Sequence, residues 1–419
     1  MTRSEALSSE ELLELVVDRR WFASKERERE GARVSAVAHA DGGLELALVE
    51  VRFLEGTHET YLLPLGFDDG TPVDALERPD LLRRLAALCG VETPCATVRP
   101  MGVEQSNSSV VLDEQHVLKV YRRLEAGPNP ELELLRVLGE SGFANAPRLT
   151  GSLEHRGEPL DAVLAVVTGL VEAVGGGWEL AVGALASGDP LWLPRRARRL
   201  GEVTGSMHTA LAATDDPQLA PEQPSAESVG LLAATIDEDV SRLSAEVAGL
   251  EGTTLGRRLE AVRDLVQDLG HVGPPGLVAR VHGDYHLGQA LWTTTEDWVV
   301  IDFEGEPARP LAERRRRTSP LRDVAGMVRS FAYAAGAAAL LHGVAAPEGW
   351  EWSCRAAFLD GWRATVDPRL LPASEGGFER LLELFELERL LYELRYELGN
   401  RPDWASIPVA GLERLLEPA

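Results

Sequence analysis

Between residues 282 and 304 the chain sets out two carboxylate clusters and an amide at spacings suited to phosphoryl transfer. His282-Gly283-Asp284 is followed five residues later by Gln289. A buried-strand pattern, Trp298-Val299-Val300-Ile301, then delivers Asp302 and Glu304. Phosphoryl transfer asks for positioning more than for covalent chemistry. It needs one carboxylate beside the attacking hydroxyl and oxygen ligands that hold Mg²⁺ against nucleotide phosphates. Mg²⁺ takes hard oxygen donors and keeps some of its waters, so an Asp, a Glu and a Gln carbonyl suffice. On this reading Asp284 aligns the acceptor hydroxyl and accepts its proton late, because an ordinary carboxylate is a weak base toward an alcohol. Gln289 and Asp302 bind the metal, and Glu304 is either a second ligand or a group that only orients water.

A nucleotide site also needs a cation. The chain has 42 basic residues, of which only Lys25 and Lys119 are lysines. Arginine in place of nearly every lysine reflects base composition, and it makes Lys119, in the middle of His-Val-Leu-Lys-Val-Tyr, conspicuous. A phosphate-binding lysine needs a carboxylate to hold it. Glu131 and Glu133 on the next helix are candidates, and Glu133 is preferred. Just upstream, GVEQSNSSVV (102–111) takes the place of a glycine-rich phosphate loop. It is not G-x-G-x-x-G, but Ser106, Asn107, Ser108 and Ser109 can donate to phosphate oxygens.

Other polar residues read less directly. His282 and His286 lack the third ligand of a zinc site, and His282 reads as a packed brace for the catalytic loop. Arg322-Asp323 reads as a tie between the following helix and that loop. The run Arg314–Arg317 reads as a solvated face. Tyr392, Tyr396 and Asn400 recur at i, i+4 and i+8 on one helix face, with Arg401 next. By spacing alone this stripe packs a helix; beside an active site it suits a sugar.

The elements that position these groups follow from patterning. Ser8-Ser9-Glu10-Glu11 opens a short helix with a capping box, running to about Arg20. Alternating segments at 44–54 and 57–67 predict two antiparallel strands. Residues 75–90 read as a helix, 101–121 as a hairpin and strand, 129–142 as a helix, and 161–170 as a buried strand. Gly175-Gly176-Gly177 reads as a hinge. From Trp178 the chain is mostly helical, interrupted by strands in 281–303 and closing on a long leucine-rich helix at 378–400. The predicted divisions are 1–97, 98–170 and 171–419.

Composition sets outer bounds. The formal net charge is −25, which opposes nucleic acid and anionic membranes as main partners. No apolar run approaches the about 18 residues of a membrane span, so no transmembrane helix is expected. The N-terminus lacks a signal-peptide core. Cys89, Cys95 and Cys354 form no metal pattern and no even disulfide set. A cytoplasmic location is expected.

Taken together, these segments resemble the bacterial maltokinases of the aminoglycoside-phosphotransferase-like kinase superfamily. RRWFASKERE is similar to the family's N-terminal cap signature, EQSNSSV to its phosphate loop, HGDYHLGQ and DFEGEP to its catalytic and metal segments, and YELRYELGNRPDW to its sugar-site segment. The resemblance spans nearly the whole chain. It implies an α+β, bilobal protein-kinase-like fold with an N-terminal β-rich cap and a helical C-lobe. It implies ATP and Mg²⁺ as cofactors, with phosphorylation of maltose at its anomeric hydroxyl to feed α-glucan synthesis. Association with trehalose synthase also follows from it. By position, Asp284 is catalytic, Gln289 and Asp302 bind metal, and Lys119 with Glu133 organises the phosphates. Tyr392, Tyr396, Asn400 and Arg401 are sugar contacts. Related kinases with the same cap act on glucosamine, which makes an amino sugar the alternative acceptor and Glu393 and Glu397 its candidate partners. A regulatory pseudokinase is the remote alternative, opposed by intact Asp284, Gln289, Asp302 and Lys119.

Overall fold

The computed structural model describes residues 2–101, 107–225, 228–246, 254–269 and 275–416. The chain divides into two compact units.

Unit 1 comprises Met1–Gly139, Pro147–Val171 and Pro307–Arg314, and holds two five-stranded sheets. The first is a meander of β1 (Arg29–Asp41), β2 (Leu44–Phe53), β3 (His58–Asp68) and β4 (Thr71–Asp74). β2 and β3 are the two alternating segments expected. β1 went unread, because its register slips at three places and its burial does not alternate cleanly. α1 (Ser9–Val17) begins with the expected capping box, in which Ser8 Oγ accepts from Glu11 N–H and the Glu11 carboxylate accepts from Ser8 N–H. Trp21 and Phe22 of the RRWF segment are fully buried against Tyr61, with ring centroids 5.7 and 5.4 Å away. α2 (Pro79–Leu88) closes this part.

The second sheet contains β5 (Val98–Pro100), β6 (Asn107–Leu112) and β7 (His116–Tyr121). A short β8 (Arg123–Leu124) returns to pair with β3. After α3 (Pro130–Glu140), β9 (Leu149–His155) and β10 (Ala162–Gly169) complete the order β5-β6-β7-β10-β9. β10 is the continuous apolar run of the sequence, buried from Ala162 to Val167.

Unit 2 comprises Glu140–Ala146, Glu172–Glu306 and Arg315–Ala419. It starts with β11 (Ala173–Gly176) and α4 (Gly177–Ser187). The expected glycine hinge is therefore replaced by packed structure. Gly175 and Gly176 pair with the strand at Ala290–Thr293, and a Cβ on Gly177 would lie 2.9 Å from Leu287 O. Gly177 serves close approach to the backbone at Leu287 and Ala290, not freedom of the backbone. α5 (Pro194–Leu211), α6 (Ser228–Glu246) and α7 (Thr254–Leu269) follow. β12 (Ala290–Thr293) and β13 (Trp298–Val300) form a hairpin that joins β11 in a three-stranded sheet. The one-turn α8 (Leu311–Arg314) belongs to unit 1. Unit 2 then continues through α9 (Leu321–His342), α10 (Trp350–Thr365), α11 (Glu375–Asn400) and α12 (Ser406–Leu416).

α9 corrects the hydropathy reading. It is 22 residues long and apolar enough to cross a membrane by length and composition, yet 67% of its most apolar stretch is buried in the fold. It is a core helix packed against α4, α10 and α11. The arginine run is also less solvated than expected. Arg314 is part-buried and pairs with Glu125, and Arg317 pairs with Glu222 at 3.0 Å.

Candidate active site

The β12–β13 hairpin explains how residues thirteen apart in sequence can share a metal. Ala290 pairs with Val300, and the Ile301 amide donates to Gln289 O, so Gln289 and Asp302 leave the hairpin side by side. Gln289 Nε2 donates to Asp302 Oδ2 at 3.1 Å. That bond directs the amide nitrogen to Asp302 and leaves the amide oxygen as a neutral hard donor. Carboxylate oxygens of Asp302 and Glu304 lie within 4.8 Å of each other. The donor set is all oxygen, partly buried and doubly acidic, which fits Mg²⁺. Asp302 sits at φ 66°, in the left-handed region that a non-glycine residue enters at a cost. The strain lies at the residue assigned to the metal.

The catalytic loop precedes this hairpin. Gly283 has φ 85°, and a Cβ there would lie 3.3 Å from the Cα of Gly305, itself at φ 73°. The H-G-D and E-G-E glycines thus let two acidic segments pass close together. His282 is buried, with its ring against Tyr285 and Phe303. Its Nε2 meets Ile301 O at 2.8 Å, where only an N–H makes a hydrogen bond. Nδ1 is then left to accept from the Asp284 amide at 3.4 Å. His286 accepts from the Gly288 amide through Nδ1, and burial pushes its pKa down to about 4, so it stays neutral near pH 7. Both rings brace the loop, as expected for His282.

Asp323 carries the loop from below. It is 1% exposed and accepts from the His282 amide at 2.8 Å, the Gly283 amide at 2.9 Å and His208 Nε2 at 3.0 Å. Trp362 Nε1 donates to His208 Nδ1, which fixes the tautomer that donates to Asp323. Burial raises the Asp323 pKa, but the His208 hydrogen bond and the nearby histidines and amides outweigh it, and the net shift is downward. Gly326 and Ser330 lie on the same stretch of α9. A Cβ at Gly326 would be 2.5 Å from Tyr285 O, and Ser330 Oγ accepts from the Leu287 amide.

Asp323→Ala strands three buried donors, each worth about 1–3 kcal/mol when uncompensated. The expected result is a lowered Tm together with a lowered kcat, while Asp323→Asn, which keeps an acceptor oxygen, recovers part of both. Thermal unfolding paired with steady-state kinetics checks this. A folded Asp323→Ala protein with unchanged kcat would remove Asp323 as the loop's positioning residue.

Opposite the loop stands Arg389, which the sequence reading passed over. Its Nη1 lies 3.3 Å from Asp284 Oδ1, its Nε lies 3.8 Å from Glu393, and its guanidinium sits 5.0 Å from the Tyr392 ring. The signal was present: Arg389, Tyr392 and Tyr396 follow i, i+3, i+7 on α11. Tyr392 and Tyr396 are 38% and 47% exposed, so they are not core packing. Asn400 donates to Tyr396 O, and Arg401 pairs with Glu397 at 2.5 Å. Glu397 is 1% exposed and also accepts from Tyr333, so it is committed to internal partners. Glu393 is likewise buried, against Arg329 at 3.0 Å.

In unit 1, Lys119 projects from β7 and pairs with Glu131 at 2.9 Å. The sequence reading preferred Glu133. Glu131 is the buried member of the two, and its Oε2 also accepts from Tyr121 at 2.7 Å. Across β6–β7, Ser109 faces Lys119 and Asn107 faces Tyr121. Strand alternation puts Ser108 on the other face, where its buried hydroxyl accepts from Arg122 Nε at 2.8 Å. The Ser108 hydroxyl is therefore a structural acceptor, and Ser109 takes its place on the lysine face. Ser106 lies outside the described residues.

Comparison with known proteins adds to this geometry. The phosphotransferase enzyme family model matches residues 97–358, and the maltokinase N-terminal cap domain model matches residues 16–87. A glucosamine kinase of Streptacidiphilus jiangxiensis is 30% identical over 368 residues, 83% of this chain and 81% of that protein. A glucosamine kinase of Mycolicibacterium smegmatis is 29% identical over 337 residues, 76% of this chain and 79% of that protein. A solved glucosamine kinase complex with glucosamine, ADP and inorganic phosphate superposes with TM-score 0.74 at 25% identity, over 96% of this chain and 99% of that one.

Proposed function

This chain belongs to the phosphotransferase enzyme family, with the kinase fold of the aminoglycoside phosphotransferases, and on that premise we propose that it phosphorylates an amino sugar. The donor is ATP and the first candidate acceptor is glucosamine. Lys119, held by Glu131, orients the nucleotide phosphates. Asp302 and Gln289, with Glu304, would hold Mg²⁺, which would supply positive charge to offset that on the phosphoryl oxygens. Asp284 aligns the acceptor hydroxyl for in-line attack and receives its proton.

The observation that carries the acceptor class is the charge around Asp284. Asp284, Glu306, Glu388 and Glu393 face Arg322, Arg329 and Arg389 in one connected cluster. An ammonium group on the acceptor would find several carboxylates close to Asp284 in this cluster. Glu306 is buried and lies near both Arg389 and Tyr392, which makes it the favoured ammonium partner. The glucosamine kinase relatives support the same acceptor.

Loss of a charge-assisted hydrogen bond costs about 1.5–3 kcal/mol. Glu306→Gln should therefore raise KM for glucosamine about 10- to 100-fold, with KM for ATP little changed. Equal KM values for glucosamine in variant and wild type would sink the Glu306 assignment.

Maltose, placed first by the sequence, is the second reading, favoured by the match of the maltokinase cap domain. At 1.5 Å per residue, Arg401 lies about 18 Å along the chain axis from Arg389. A disaccharide can extend in that direction further than a monosaccharide held at Asp284. Arg401→Ala is expected to leave glucosamine turnover within about twofold of wild type. A selective loss of maltose turnover in that variant favours the second reading.

A further inference from the structure

A cavity of about 600 Å³ lies in unit 2, lined by residues of α9, α10, α11 and α12 and by the turn leading into α10. None of the residues assigned to catalysis, metal or sugar lines it. Its volume is in the range of small-molecule sites. Two features there point to an anion.

The first is the N-terminus of α10, a 16-residue helix whose N-cap is Gly349 at φ 73° with no side-chain cap. Trp350 N–H donates to Pro347 O and Ser353 N–H to Gly349 O, while the Glu351 and Trp352 amides have no backbone acceptor among the residues preceding the helix. A Cβ at Gly349 would meet nothing within 4 Å, so this end of the helix is open. Unsatisfied amides and the helix dipole favour negative charge there.

The second is Arg329, which lines the same cavity although only 3% exposed. Its Nη2 donates to Glu393, but Nε is buried with no hydrogen-bond partner. Nη1 lies beside Gly411, another lining residue, where a Cβ would be 2.8 Å away. Of the acids lining the cavity, Glu351 pairs with Arg414, and Glu386 forms an ion pair with Arg355 at 2.7 Å although its buried Oε1 accepts no hydrogen bond.

We propose that this cavity binds a small phosphate-bearing molecule, with the phosphate between the α10 amides and Arg329. The exposed indole of Trp352, at 71%, offers a face for an attached sugar ring. Arg329 also holds Glu393, which neighbours Arg389 and through it Asp284, so an occupant shares a residue with the support of the catalytic loop.

The test is ¹⁹F NMR of the full chain labelled with 5-fluorotryptophan, with the Trp352 resonance assigned through Trp352→Phe. ADP and Mg²⁺ are kept saturating so that the nucleotide site does not contribute. Inorganic phosphate and glucose 6-phosphate are titrated separately, against potassium chloride at equal ionic strength. Saturable movement of the Trp352 resonance by either phosphate, absent with chloride, is the expected result. Tighter binding of glucose 6-phosphate assigns the site to sugar phosphates, and equal binding assigns it to phosphate itself. Gly349→Asp places a carboxylate at the open helix end, where Asp tolerates the left-handed backbone, and should abolish the shift. Arg329→Gln should weaken it about tenfold or more. No shift with either phosphate, the same shift with chloride, or a shift that survives Gly349→Asp overturns the proposal.

Discussion

Asp284→Asn is expected to lower kcat by about 10²- to 10⁴-fold, the range of a lost general base, while KM for ATP stays near the wild-type value. The substitution keeps the size of the side chain and one acceptor oxygen. It removes the charge that faces Arg389 at 3.3 Å and the group that receives the acceptor's proton. Nothing in the Lys119–Glu131 pair or the Gln289–Asp302 contact depends on that charge. The loop itself is held by Asp323 and His282 through backbone groups, so the fold should survive. Steady-state kinetics at saturating sugar, with ATP varied, checks the split. A variant of near wild-type kcat would remove Asp284 from the chemistry.

The second large effect is expected at Asp302. Asp302→Asn is the informative change, because Asn accepts the left-handed backbone at φ 66° and can still receive the Gln289 Nε2–H. It removes one anionic oxygen from the metal set. Metal stabilisation of transferring charge amounts to several kcal/mol, and about 4 kcal/mol corresponds to about 10³ in rate. Turnover should fall by about that factor, and the Mg²⁺ concentration for half-maximal rate should rise. A readout independent of turnover is the rise in Tm on adding Mg²⁺ with ADP, which should shrink in the variant. Normal rate at normal Mg²⁺ dependence would exclude Asp302 from the metal site.

Much of this site was legible because its residues are fixed locally. A hairpin of short strands brings Gln289 to Asp302, and the strand pattern from Trp298 shows where it ends. The capping box at Ser8 and the apolar run of β10 were legible for the same reason: each is a contiguous pattern with one physical meaning. What the sequence left open needed phase or partners. Ser108 and Ser109 differ only in which face of β6 they occupy, and the sequence did not set that phase until β7 was paired. Glu131 and Glu133 are two residues apart on one helix, and their choice depends on how α3 is rotated against β7. The spacing of Arg389 places it on the Tyr392 and Tyr396 face of α11, but nothing local connects residue 389 to residue 284. The glycines at 175–177 read as a hinge because close backbone approach and backbone freedom leave the same letter in the sequence.

Asp323 shows the opposite case. Its role as a tie was readable from an acidic residue at the start of a long apolar helix that follows the catalytic segment. Only the structure gave the tie its form: two loop amides and a histidine held by a tryptophan.

The most direct test of the proposed activity is ATP consumption by the purified wild-type chain with Mg²⁺, offered glucosamine, maltose, glucose and kanamycin in turn, with Asp284→Asn as the blank. The account predicts turnover on glucosamine well above the blank and above every other acceptor, with a glucosamine phosphate as product by mass spectrometry. Turnover on maltose with none on glucosamine would contradict the amino-sugar assignment, and the absence of turnover on any acceptor would contradict the sugar-kinase reading itself.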